Sequence, residues 1–312
     1  MNQDDAKKRI ARIEAMQTGF DNKLASLDKD LLAELLNSAD KVLANPKTLS
    51  RILGSFEEQY HIPVLQQFGA DLLTIKSLND AYFEGAIGDT MGGHLVNQAL
   101  FENVQLSVER LMVDQFGIAA DGEIVKNGLF DLFSKDTTVR REIQQFAYGQ
   151  KASGIGVEKF KKNLRRFIEG VPGNPDAPAK GIYKRHYDTV AFDTYQQADR
   201  VAQQAFAGGL NMTAFLYLGG TIAGTRLFCR VRDGKVFLKS EIDVMGTAQD
   251  KYGGYTDKST GKFAGKNPGY VAFRDAGGFS CRHHWSALSD RAAMRRRSDL
   301  QKSPNGVLTI RA

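Results

Sequence analysis

The apolar positions of this chain recur at helical spacing up to about residue 210 and then change texture. In 23–36 the leucines fall three and four residues apart, which gives a helix with one apolar face. That face must pack on the rest of the chain or on a neighbouring subunit. Residues 2–60 read as helix throughout, punctuated by Pro46 and Pro63. Residues 64–118 continue as helix, with Leu100, Val104, Val108, Leu111 and Met112 in phase and Gly117 as the stop.

Beyond Gly117, Asp121-Gly122 makes a turn, and 131–148 is a further helix with Val139, Ile143 and Phe146 on one side. A short hinge at 149–156 leads into a basic amphipathic helix over 157–168. Phe160, Leu164, Phe167 and Ile168 form its apolar side, and Lys159, Lys161, Lys162, Arg165 and Arg166 its cationic one. Three of the seven prolines fall in 171–178, which predicts a loop or linker. A long helix then covers 187–210, stopped by Gly208-Gly209.

Short strand-like runs follow at 214–218, 227–231 and 236–238, with Asp233-Gly234 as a hairpin signal before the last. Lys239 starts a short helix, 251–269 is a long glycine-rich exposed loop, and the stretch after 289 is a polar, basic tail. The fold class is therefore α+β: a mainly helical N-terminal two-thirds with a small β-rich C-terminal module. The expected division is a helical docking or oligomerisation region at 1–120 and a helical part at 121–210 carrying the linker at 171–178. A β-rich module at 211–288 and the basic tail at 289–312 complete it.

Composition adds little to this picture. Apolar residues at 42% and charged residues at 25% are ordinary for a soluble protein. No apolar run approaches the roughly 20 residues that span a bilayer. The first residues include Asp4 and Asp5 and lack an apolar core, so they do not read as a secretory signal and a cytosol is the expected compartment. The formal charge of +6 favours acidic partners, nucleic acid among them. Lys161, Lys162, Arg165 and Arg166, and further on Arg295, Arg296 and Arg297, are the candidates for phosphate contact. A solvated cationic face is the alternative for each group.

The chemistry-bearing residues gather in 217–285. Both cysteines, two of the five histidines and the only tryptophan lie there. Cys229, Cys281, His283 and His284 offer two thiols and two imidazoles. They are candidates for a zinc site, for a Cys229–Cys281 disulfide, or for plain structural residues; Trp285 reads as a core anchor. His61, His94 and His186 are isolated and read as structural. The chain carries no Walker A sequence, no dinucleotide fingerprint, no His-Glu-x-x-His and no Gly-x-Ser-x-Gly elbow. No acid/base pair is legible, so an enzyme built on Arg226, His283 and Glu241 is the weaker alternative and no cofactor is expected besides the zinc candidate.

Residues 130–288 resemble the Mu F-like head morphogenesis family, the minor head proteins of tailed bacteriophages. Tyr217-x-Gly219-Gly220-Thr221-Ile222-x-x-Thr225-Arg226-x-Phe228-Cys229 is similar to the family's Thr-Arg-Pro-Phe-Cys motif, with Leu227 in place of the proline. Gly234-Lys235-Val236-Phe237 and Glu241-Ile242 resemble the hairpin and helix start that follow it. Gly277-Gly278-Phe279-Ser280-Cys281-Arg282-His283 resembles the closing Cys-Arg-His signature, and Trp285 follows it directly. The resemblance implies a virion protein of the head or head-to-tail connector, made in the bacterial cytoplasm. It would be present in several copies or as a homo-oligomer, in contact with the portal or other head proteins and near packaged DNA. An internal protein ejected with the genome is the alternative within the same setting.

Overall fold

The computed structural model describes residues 2–311 except 46, 120, 176, 247–248, 253–269 and 279. Most of the loop expected at 251–269 lies outside the described residues, as does Phe279.

The chain opens with α1 (Gln3–Asn37). Asn2 caps it, its side-chain oxygen accepting from the backbone N–H groups of Asp4 and Asp5 at 2.8 and 3.1 Å. α2 (Ala39–Ala44) and α3 (Lys47–Phe56) follow, and a π turn at Glu57–His61 leads directly into α4 (Ile62–Glu84). Pro63 therefore does not interrupt the helix. A proline lacks the N–H that would bond four residues back, and the wider π turn immediately before it shifts the hydrogen-bond register.

The helix expected across 64–118 is broken by a hairpin, β1 (Thr90–Met91) and β2 (His94–Leu95), in which Thr90 faces Leu95. Gly92 and Gly93 form its two-residue turn with φ of +52° and +83°, a geometry that glycines adopt without steric cost. α5 (Gln98–Phe116) then runs to Gly117, whose φ of +73° ends it as expected. The helix expected at 131–148 is two: α6 (Leu129–Ser134) and α7 (Thr138–Ala152). Between them Asp136 accepts from the Thr138 N–H at 2.8 Å and restarts the helix. α8 (Val157–Glu169) buries Phe160, Leu164 and Ile168, and α9 (Ile182–Gly209) follows the proline-rich loop.

The C-terminal third contains β3 (Ala214–Leu218), α10 (Leu227–Arg230), β4 (Val236–Leu238), α11 (Lys239–Asp243) and α12 (Ala272–Asp275). β5 (His284–Leu288), α13 (Asp290–Arg296), β6 (Leu300–Lys302) and β7 (Leu308–Ile310) complete it. Two expectations change here. Residues 227–230 form a helical turn rather than a strand. The stretch after 289 is folded: Ser289 caps α13 by accepting from Ala292 N–H, and β6 pairs antiparallel with β7.

The described chain divides into two compact units, each built from separated stretches, so residues 1–120 contribute to both. The first contains 1–14, 72–115 and 192–312; the second contains 15–71 and 116–191. In the second unit, leucines of α1, Phe56, Phe68, Phe130, Ile143, Leu164 and Tyr183 are buried together with their neighbours. Asp28 reaches across from α1 to cap α9, accepting from Tyr183 N–H at 2.7 Å. A side chain at Gly181 would collide with that carboxylate.

In the first unit β3 is the centre of a three-stranded antiparallel sheet, in the order β4-β3-β5. Every residue of these three strands is buried. Both faces are therefore covered, which explains why β3 and β4 read as continuous apolar runs rather than alternating ones. The outer edge of β5 is closed by α9 side chains, with Gln203 accepting from Ala287 N–H at 2.9 Å.

Candidate functional site

The sheet brings the two ends of the segment 217–285 together. Tyr217 on β3 lies opposite Trp285 on β5, and Leu218 lies opposite His284. Gly219 then passes so close to the chain at His283 that a Cβ there would sit 2.6 Å from the His283 Cα. α10 carries Cys229 inward, with Phe228 fully buried beside it. Leu227 is its first helical residue. Thr225 holds the approach to α10, its hydroxyl accepting from Ile222 N–H at 2.7 Å.

Asp233 and Gly234 do not form a two-residue hairpin loop. Gly234, at φ +75°, donates to the Tyr217 carbonyl at 2.8 Å and leads the chain into β4. The Asp233 carboxylate turns back and accepts from the N–H groups of Gly219 and Gly220, each at 3.2 Å.

Cys229, Cys281 and His283 meet beneath this framework. The two sulfurs are 3.7 Å apart, well beyond a covalent bond, and both cysteines are free thiols rather than the disulfide offered by the sequence. Nδ1 of His283 is 4.0 Å from the Cys281 sulfur, and all three donor atoms lie within 4.8 Å of one another. Each residue is at most 3% exposed. The Tyr217 hydroxyl stands 3.4 Å from the Cys229 sulfur and 3.8 Å from that of Cys281, with its ring stacked on His283. The backbone N–H of Gly277 donates to the Cys281 sulfur at 3.2 Å.

The electrostatics favour one thiolate in this pair. The hydrogen bond from Cys229 holds the Cys281 thiol well below its usual range; burial opposes this, while His283 and the Arg200 guanidinium assist. Cys229 is correspondingly pushed up by the same hydrogen bond and by burial. Burial also holds the Tyr217 hydroxyl well above its ordinary value, so it remains protonated and able to donate.

His284 does not join the group. Successive residues of a strand project to opposite faces, and His284 instead bonds the Asp199 carboxylate through Nδ1 at 2.7 Å. Asp199 also pairs with Arg9 and accepts from Asn79 at 3.0 Å, and Arg9 donates to Ser286 at 2.9 Å. This is a buried polar network in which Gln203 also donates to Asn79, at 2.6 Å. Arg200 clamps the chain just before β5, donating to the carbonyls of Cys281, His283 and Arg274. Arg200, Asp199 and Asp233 carried no sequence signal. A polar residue within a helix reads as solvent-facing, and Asp-Gly reads only as a turn.

Trp285 is fully buried, its ring near those of Tyr217 and Phe273 and its N–H donating to the Ala272 carbonyl at 3.1 Å. Among the cationic candidates, Lys162, Arg165, Arg166, Arg295 and Arg296 are exposed, and Lys161 pairs with Glu158 at 2.9 Å. Arg297 is not available to phosphates. It is engaged by Glu241, by Asp299 at 2.9 Å and by the Val236 carbonyl at 3.2 Å. None of the described helices is long and apolar enough to cross a membrane.

Protein-family models, curated proteins and solved structures contain no match to this chain.

Proposed function

We propose that this chain is a structural protein of a tailed-phage virion, a minor head or head-to-tail connector subunit of the Mu F-like kind. It acts at the portal vertex through contacts with portal or other head proteins, in several copies, near packaged DNA. The observation that carries this reading is the burial of the signature itself. Cys229, Cys281, His283 and Trp285 are each at most 3% exposed, and Thr225 is 9% exposed. Residues so enclosed shape a module and offer no surface at which a substrate would meet them.

A second feature supports the same reading. The position at which the family motif has proline is occupied by Leu227, the first residue of α10. Proline is favoured at a first helical position because its missing N–H is unneeded there and its φ is already helical. The motif and the local backbone therefore agree, although this chain uses leucine. Exposed Lys162, Arg165 and Arg166 on α8 give the cationic surface suited to the neighbourhood of DNA.

Asymmetric reconstruction of purified virions, with the chain identified by mass spectrometry, tests the reading. Density for this chain at the portal vertex is the expected result. Its absence from mature virions, or its loss from particles that have released their DNA, would overturn the connector assignment.

A further inference from the structure

The three donors beneath the sheet have the spacing of a metal-binding triangle. A tetrahedral zinc ion has Zn–S bonds of about 2.3 Å, which places two thiolate ligands about 3.8 Å apart. The Cys229 and Cys281 sulfurs are 3.7 Å apart. With a Zn–N bond of about 2.0 Å, the sulfur-to-nitrogen edge is about 3.5 Å. The observed 4.0 Å between Cys281 and His283 is about half an ångström longer than that edge, and all three donor atoms lie within 4.8 Å of one another, so the imidazole moves toward the sulfurs on binding.

The surroundings fit the same occupant. If Nδ1 of His283 faces the ion, Nε2 carries the proton and points toward Asp233 Oδ1, 3.5 Å away. Nε2 of His283 is a buried nitrogen with no hydrogen bond among the described residues. Asp233 is itself fixed by the Gly219 and Gly220 N–H groups. A carboxylate that orients a ligating imidazole through its second nitrogen is a recurrent support for bound zinc. On the other side, the Gly277 N–H bonds the Cys281 sulfur, as donors to ligating thiolates do.

We infer that Cys229, Cys281 and His283 form a zinc site, with the Tyr217 hydroxyl facing the fourth position. Two thiolates and an imidazole select a borderline-soft ion over magnesium or calcium, which take oxygen donors. Two thiolates also balance the charge of the ion, which matters where no donor is more than 3% exposed. Such an enclosed ion is structural. It joins α10 to the segment before β5, two parts of the chain that are otherwise far apart in sequence, and it serves the module whatever larger assembly the protein enters. On binding, each thiol gives up its proton to solvent, and no electrons are exchanged.

The test uses the full chain, purified without chelator and assayed for metal by mass spectrometry. One zinc per chain is expected, and replacement by cobalt(II) should give thiolate-to-cobalt charge transfer together with the intense visible bands of a tetrahedral ion. Cys229→Ser, Cys281→Ser and His283→Gln should each abolish stoichiometric binding, while His94→Gln on β2 should retain it. Because substitution of these core residues also threatens the fold, the unaltered chain decides. A chain that stays metal-free after zinc addition, a cobalt spectrum without thiolate charge transfer, or an intact mass two hydrogens light would each overturn the assignment. The last result would show a disulfide instead.

Discussion

Asp199 accepts a hydrogen bond from His284 at 2.7 Å with one carboxylate oxygen and pairs with Arg9 through the other. The long helix, the first helix and the edge strand of the first unit thus share one buried negative charge. His284 stays neutral in this setting. Burial holds its pKa well below the usual histidine value, and the nearby charges of Arg200 and Arg9 lower it further.

Removal of that carboxylate strands a buried guanidinium. Asp199→Ala should therefore lower the unfolding free energy by about 3–5 kcal/mol. Arg9→Met added to it should recover at least about 1 kcal/mol, because the unpaired charge is then gone as well. Urea unfolding of the parent and the two variants gives the comparison. Equal losses in the single and double variants would remove the charge-pair explanation.

Acid should weaken the fold through its buried histidines. Burial lowers the pKa of His61 to about 4, with Asp136 opposing the shift. Because the folded value lies below the unfolded one, the unfolded chain binds more protons between them. The stability from neutral His61 is thus complete above about pH 6.5 and is lost as pH falls toward 4. Asp28 acts in the opposite direction. Burial raises its pKa to about 6 despite the hydrogen bond from Tyr183 N–H, so its contribution is complete below about pH 4 and lost as pH rises through 6. His61→Phe should show a smaller drop in thermal midpoint than the parent between about pH 7.5 and 5; an identical drop would sink the assignment.

Gly277 must remain without a side chain. A Cβ there would collide with the Cys229 sulfur and lie 2.9 Å from that of Cys281. Gly277→Ala should destabilise by about 1–3 kcal/mol through overpacking. It should also make both thiols react with a thiol reagent in the folded protein. Thiols that remain as protected as in the parent would show that the backbone yields instead.

Two arginine sites separate surface charge from structural charge. If the α8 surface meets DNA, Arg165→Ala with Arg166→Ala should flatten the dependence of log affinity on log salt by roughly one unit per lost phosphate contact. Arg297→Ala should leave that slope unchanged and lower the melting temperature, because Arg297 is engaged by Glu241 and Asp299. Filter binding at several salt concentrations resolves the two outcomes. A slope altered only by Arg297→Ala would reverse the assignment.

What could be foreseen from sequence followed local physics. The α8 apolar face over Phe160, Leu164 and Ile168, β3 at Ala214–Leu218 and the Gly117 stop are all set within one or two turns of chain. The Gly92-Gly93 hairpin is hidden in the sequence because apolar positions at helical spacing resume directly after it, at Leu100, Val104 and Val108. Residues 227–230 read as a strand because apolar neighbours suit either structure, and the turn depends on the fixed Asp233 and Tyr217 around it. The site was partly legible. Cys229, Cys281 and His283 stood out by rarity. His284 was grouped with them by adjacency alone, and strand geometry sends it to the other face. Asp233, Arg200 and Asp199 depend on pairings across tens of residues, which no local pattern encodes.

The interleaving of the chain has a consequence for synthesis. The second unit contains nothing beyond residue 191, whereas the first needs β5 at His284–Leu288 before Arg9 and Asp199 can share their network. During translation, the earliest residues of the first unit must therefore wait for partners made nearly three hundred residues later. Loop closure over such separations is slow. The nascent protein is thus expected to spend that interval half-built, with the apolar positions Ile10 and Ile13 open to chaperones or to wrong partners.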